Sequence, residues 1–198
     1  MARTRFTKTV TALASVLMGV TLLAGCASTD PDGPSATAPA DLLAEHGLDG
    51  LDAREVVTRL DAMPVADRPA DLIASVKPRT VELSDSSGAT TSLALPDDQF
   101  YVSIAPYVDR THECYFHSLT TCLGEMPNED VQVEVVDRAT GAVLVDEALR
   151  VNDNGFFGLW LPRAVDATVT VESGGRSTTS EISTHDDDPT CVTTLQLA

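Results

Sequence analysis

The fourteen residues His112-Glu113-Cys114-Tyr115-Phe116-His117-Ser118-Leu119-Thr120-Thr121-Cys122-Leu123-Gly124-Glu125 hold two of the chain's four cysteines and two of its four histidines. A further cysteine, Cys191, stands near the C-terminus. Thiolate sulfur and imidazole nitrogen suit Cu(I) and Zn(II), and oxygen-only sites would not hold Cu(I). Cu(I) is d10 and imposes no polygon, so the thiolates of Cys114, Cys122 and Cys191 would satisfy it. Zn(II) would want a fourth donor, from His117 or His112. Towards Cu(II), Cys114 and Cys122 are also a reductant, becoming a disulfide as the metal becomes Cu(I).

The same residues admit plainer chemistry. A Cys114–Cys122 disulfide would close a short loop, worth about 2–3 kcal/mol on the chain-entropy argument. Cys-x7-Cys is neither a zinc nor a thioredoxin-like spacing. Three functions therefore stay open on spacing alone: a metal-binding protein, a thiol-disulfide or cupric reductase, and an Ig-like binding module whose cysteines only staple a loop. Around the motif, Tyr115 and Phe116 are suited to shielding a metal from water or to core packing. His185-Asp186-Asp187-Asp188 reads as an acidic turn, Trp160 as core, and His46 has no role. Ser118 has no residue that would orient a histidine for it, which argues against a catalytic triad.

The N-terminus gives these donors an address. Arg3, Arg5 and Lys8 precede an uncharged apolar run, Val10 to Leu23, that is short for a membrane span. The run ends in Leu23-Ala24-Gly25-Cys26, which resembles the bacterial lipoprotein signal-peptidase box. The resemblance implies removal of residues 1–25, acylation of Cys26 (a diacylglycerol thioether, with palmitate-type chains) and attachment to the outer face of the cell membrane. Cys114, Cys122 and Cys191 then remain, an odd number in a compartment that permits disulfides. The whole chain has 13 basic and 30 acidic side chains, and losing Arg3, Arg5 and Lys8 takes the net charge from −17 to near −20. Such a surface favours cations or basic partners and excludes nucleic acid as a ligand.

Residues 26–40, small and proline-rich, form a tether. Residues 41–78 read as a helical segment. Asp52 caps a helix carrying Val56, Val57, Leu60 and Met63, Pro64 ends it, and a second short helix is expected over Pro69–Val76. Residues 79–198 read as a β-rich domain that positions the donors. Strands are expected over 80–84, 91–95, 99–105, 131–137, 142–151, 156–161, 167–172, 177–183 and 191–197, with hairpin turns at 137–141 and 173–176. The fold class is mainly β with a small N-terminal helical part (α+β), as an antiparallel Ig-like sandwich or open barrel. Cys191 shares a strand face with Leu195 and Leu197 and should point inward near one mouth of the sandwich. If the 114–122 loop covers that mouth, three sulfurs converge.

Read whole, Ser103-Ile104-Ala105-Pro106-Tyr107, the Thr111–Glu125 segment with its Cys-x2-His-Ser-Leu-Thr-x-Cys-x-Gly-Glu, the Leu60 helix, Asn152–Pro162 and the late Cys191 resemble the CueP family of extracytoplasmic copper-binding proteins. The resemblance implies a role in copper resistance, with Cu(I) held by Cys114, Cys122 and Cys191 and His117 and His112 as weaker candidates. It also implies reduction of Cu(II) by the thiols and delivery of copper to exported enzymes such as Cu,Zn superoxide dismutase. Familiar members are soluble in the periplasm, and here the lipoprotein box is a departure that bears on delivery to a diffusing client.

Overall fold

The computed structural model describes residues 39–198, with side chains from residue 42 onward. The expected signal peptide, Cys26 and most of the tether lie outside the described residues. Two short helices come first, α1 (Pro39–Glu45) and α2 (Ala53–Asp61). Asp52 starts α2 as expected: its carboxylate accepts from the Glu55 N–H, and the Glu55 carboxylate accepts from the Asp52 N–H, both at 2.9 Å. Ala53, Val56, Val57 and Leu60 then form one buried stripe.

Ten strands follow: β1 (Leu72–Val76), β2 (Thr80–Asp85), β3 (Thr90–Ala94), β4 (Gln99–Ile104), β5 (Asp130–Asp137), β6 (Val143–Arg150), β7 (Phe157–Pro162), β8 (Asp166–Ser173), β9 (Arg176–Ser183) and β10 (Cys191–Val192). They make three sheets, ordered β1-β2-β3, β10-β4-β7 and β6-β5-β8-β9. All pairings between strands are antiparallel except β10 on β4. The β10-β4-β7 and β6-β5-β8-β9 sheets form the sandwich, closing on Phe100, Val102, Ile104, Val133, Val135, Leu161, Val169 and Val171. The helices and the β1-β2-β3 sheet close a second core, to which Tyr101 contributes from the other face of β4. Buried on both faces, β4 carries almost no exposed side chain, which explains its unbroken apolar texture.

Two expectations are corrected. Residues 69–76 do not form a helix. Leu72–Val76 is a strand, because β2 pairs along one edge and the 117–119 segment bonds to the other. A five-residue segment, apolar but for Ser75, is too short for its periodicity to separate the two states, so tertiary pairing decides. The last strand is also shorter than expected. It stops at Val192, where the Thr193 hydroxyl donates to the His112 carbonyl (2.7 Å) and the Thr111 hydroxyl donates to the Thr193 carbonyl (2.6 Å). The strand phase is lost there: Val192, Leu195 and Leu197 enter the sandwich core, whereas Cys191 joins a small separate cluster with Ala105 and Phe156.

Candidate metal centre

The long connection from β4 to β5 carries the cysteine and histidine motif, and three anchors hold it. On β1, the Val76 N–H donates to the His117 carbonyl and the Leu119 N–H to the Ala74 carbonyl, both at 2.8 Å. On the segment entering β10, the Thr190 hydroxyl accepts from the His117 N–H at 3.0 Å and donates to the Val76 carbonyl at 2.6 Å. At the far end, Gly124 presses against Gly155 so closely that a Cβ on either would collide with the other's backbone. The Gly124 N–H donates to the Asn154 carbonyl at 2.7 Å. Glu125 closes the loop, its carboxylate accepting from the Val108 and Asp109 N–H groups at 2.7 and 2.9 Å. The small-residue pair Gly124 and Gly155 is therefore required by close backbone approach.

These anchors bring the donors together. Cys114 is disulfide-bonded to Cys191, with a Cα–Cα distance of 5.7 Å, inside the ordinary range for a bridge. The local Cys114–Cys122 staple, one of the alternatives the sequence left open, is not the bridge that forms. Cys122 is free, its sulfur 3.8 Å from that of Cys114. Two overlapping groups of donors have their atoms within 4.8 Å of one another: His112 with Cys114 and Cys122, and His117 with Cys122 and Cys191. His117 is fully buried and His112 is exposed. Tyr115 and Phe116 are both exposed and shield little. Phe156 covers the centre instead, fully buried with its ring 4.6 Å from that of His117. Trp160 is only half-buried, beside the helical core. His185–Asp188 is a turn in which Asp186 pairs with Arg79 and Arg163, as an acidic turn should.

Sequence reasoning missed the residues behind the histidine. Asp61, at the last position of α2, is buried and faces His117 Nε2 at 3.0 Å. It accepts from the Tyr101 hydroxyl at 2.6 Å and from Asn154 Nδ2 at 3.1 Å. Gly158 leaves room for this, since a Cβ there would strike the Tyr101 ring. One signal existed: Asp61 continues the Ala53, Val56, Val57, Leu60 stripe, where a carboxylate is out of place unless paired. Arg68 was missed too; it donates to the Cys122 carbonyl at 2.9 Å.

The electrostatics favour ionised groups. Burial pushes the Asp61 carboxyl up, but His117, Tyr101 and Asn154 outweigh it and hold it below the usual carboxylate range. Burial pushes the His117 imidazole down, and the hydrogen bonds and charges of Asp61 and Cys122 carry it above its ordinary value. For Cys122, burial raises the thiol, while His117, the Ser118 N–H and Arg68 bring it below the ordinary thiol value. That direction favours the thiolate, which is the nucleophilic and metal-binding form.

Fold and donors together define a class: a β-sandwich protein whose cysteine-rich centre suits a soft metal ion. Residues 55–196 match the family described as "Periplasmic copper-binding protein CueP", and the chain belongs to that family. The chain is also similar to a crystal structure of S.CueP, at 40% identity and a TM-score of 0.75, covering 80% of this chain and 96% of that one. No curated protein matches the sequence. The family is one of copper-binding proteins of the periplasm. Among the described residues, no helix is long and apolar enough to cross a membrane.

Proposed function

We propose that this protein is an extracytoplasmic Cu(I)-binding lipoprotein that lowers free copper, holding the ion on the thiolates of Cys114, Cys122 and Cys191. The observation that carries the reading is the meeting of Cys122 with the bonded pair Cys114 and Cys191, 3.8 Å between Cys122 and Cys114 sulfurs, from segments far apart in sequence. A structural staple needs two cysteines. A third sulfur brought to the same point is what a soft ion would use. His117 and His112 are further donors, and with either of them the same sulfurs form a four-donor set for Zn(II).

Reduction on capture balances simply. The thiols of Cys114 and Cys191 give two electrons to two Cu(II) ions, release two protons and form the disulfide, leaving two Cu(I) ions. An extracytoplasmic dithiol reductant then restores the thiols. Acylated Cys26 would fix the protein to the outer face of the cell membrane, where its negative charge concentrates cations. An exported copper enzyme such as Cu,Zn superoxide dismutase is the client that the family resemblance suggests. A second reading, thiol-disulfide or cupric reductase, is favoured by the free Cys122 thiol beside the Cys114–Cys191 bridge.

Copper titration of the reduced protein against a competing Cu(I) chelator tests the main reading. Tight, stoichiometric uptake is expected, collapsing in C114S, C122S and C191S. Catalytic turnover of Cu(II) with a dithiol donor and no retained Cu(I) would favour the reductase, and no uptake after reduction would end the copper reading. Labelling cells with a radioactive fatty acid, wild type against C26A, tests the anchor.

A further inference from the structure

His117 is held from every side. Its N–H and carbonyl are tied to Thr190 and Val76, and its ring packs on Phe156. The ring's Nε2 faces Asp61 Oδ1 at 3.0 Å, and its Nδ1 lies 3.9 Å from the Cys191 sulfur. The Asp61 carboxylate is itself over-determined. Oδ2 accepts from the Tyr101 hydroxyl (2.6 Å) and Asn152 Nδ2 (3.4 Å), and Oδ1 accepts from Asn154 Nδ2 (3.1 Å). Both oxygens are thus occupied as acceptors, and an ionised carboxylate can only accept. The proton on the imidazole must sit on Nε2, so in the neutral ring Nδ1 offers its lone pair towards the sulfurs.

From this geometry we propose that Asp61 is a positioning residue: by fixing the His117 ring it aims Nδ1 at the sulfurs as the fourth donor, and so sets how well the centre holds a Zn(II)-class ion relative to Cu(I). The inference rests on the reading of Cys114, Cys122 and Cys191 as metal ligands. Cu(I) is satisfied by two or three sulfurs and gains little from the imidazole, whereas a tetrahedral divalent ion needs a fourth ligand. A carboxylate behind a ligating histidine fixes ring orientation and tautomer and raises the basicity of the ligating nitrogen. Asp61 therefore governs how well the centre holds divalent ions and leaves Cu(I) nearly alone.

The test compares Co(II), a spectroscopic stand-in for Zn(II), with Cu(I) on the fully reduced protein, wild type against D61N. In D61N an amide NH2 must face donors that now meet a carboxylate oxygen. Co(II) affinity should fall about 10–100-fold, with loss of the intense visible bands of a four-coordinate ion, while Cu(I) affinity stays at the wild-type value. Unchanged Co(II) binding, or Co(II) and Cu(I) falling together, overturns the proposal. Where D61N fails to fold, long-range proton–nitrogen correlation spectra of Zn(II)-loaded wild type answer instead. Metal on His117 Nδ1 with the proton on Nε2 is expected, and the reverse arrangement or an unligated ring refutes it. Failure of wild type to bind Cu(I) would sink the copper reading separately, because the Co(II) and tautomer results do not depend on it.

Discussion

Reducing the Cys114–Cys191 bridge should cost this fold far more than reducing a local staple would. The bridged residues are 77 apart in sequence, so in the oxidised unfolded chain a long loop stays closed that the reduced chain is free to open. The chain-entropy relation puts that constraint at about 4.5 kcal/mol, against about 2.5 kcal/mol for a bridge between Cys114 and Cys122. For a domain of this size the larger figure corresponds to about 9–18 °C in melting temperature. Urea unfolding of the oxidised and reduced protein, with peptide mapping of the bridge, reads both quantities. Wild type and C122S should lose about 4.5 kcal/mol alike on reduction, and C191S, able to form only the local bridge within the motif, no more than about 2.5 kcal/mol. Should wild type lose only the smaller amount while C122S is indifferent to reductant, the pairing and the loop argument built on it are both wrong.

Two further outcomes are expected. Gly155→Ala places a Cβ against the Gly124 backbone at a φ of +81°, combining a clash with a left-handed conformation; a loss of about 1–3 kcal/mol should appear in urea unfolding, together with weakened Cu(I) binding. Gly141→Ala, at a φ of +73° with nothing within 4 Å, is the control that carries backbone strain alone and should cost less. Glu125 gives a pH signature. The Asp109 and Val108 N–H groups hold its carboxyl below the ordinary value of 4.5, so its contribution is present above that pH and disappears as pH falls through the lower folded value. The melting-temperature gap between wild type and E125Q should therefore be constant near neutrality and shrink below about pH 4.5; a gap that persists at pH 2–3, with both proteins still folded, would contradict it.

Much of the fold was legible because it is local. The strands from β2 to β9 show themselves through alternation, β-branched residues and the turns between them, and all were expected within a residue or two of where they lie. The Asp52 cap needs only residues three apart. Legibility fails where an element owes its state to distant partners. The β1 strand is the instructive case: Leu72–Val76 is a strand because of what bonds to its two edges, and one of those partners is the very loop that carries His117.

The centre divides in the same way. The sequence by itself determined the chemistry on offer, namely soft sulfur at Cys114, Cys122 and Cys191 with imidazole nearby, since donor type is a property of the residue. It also determined that Gly124 sits beside the motif, though not why. Tertiary structure alone decided which sulfurs meet, pairing Cys114 with a cysteine 77 residues away rather than the one eight residues away. It likewise decided that Asp61 faces His117, across 56 positions of chain. Contacts of that range depend on how sheets and helices pack against one another, and no local pattern encodes them. The donors are written in the chain, and their geometry is made by the fold.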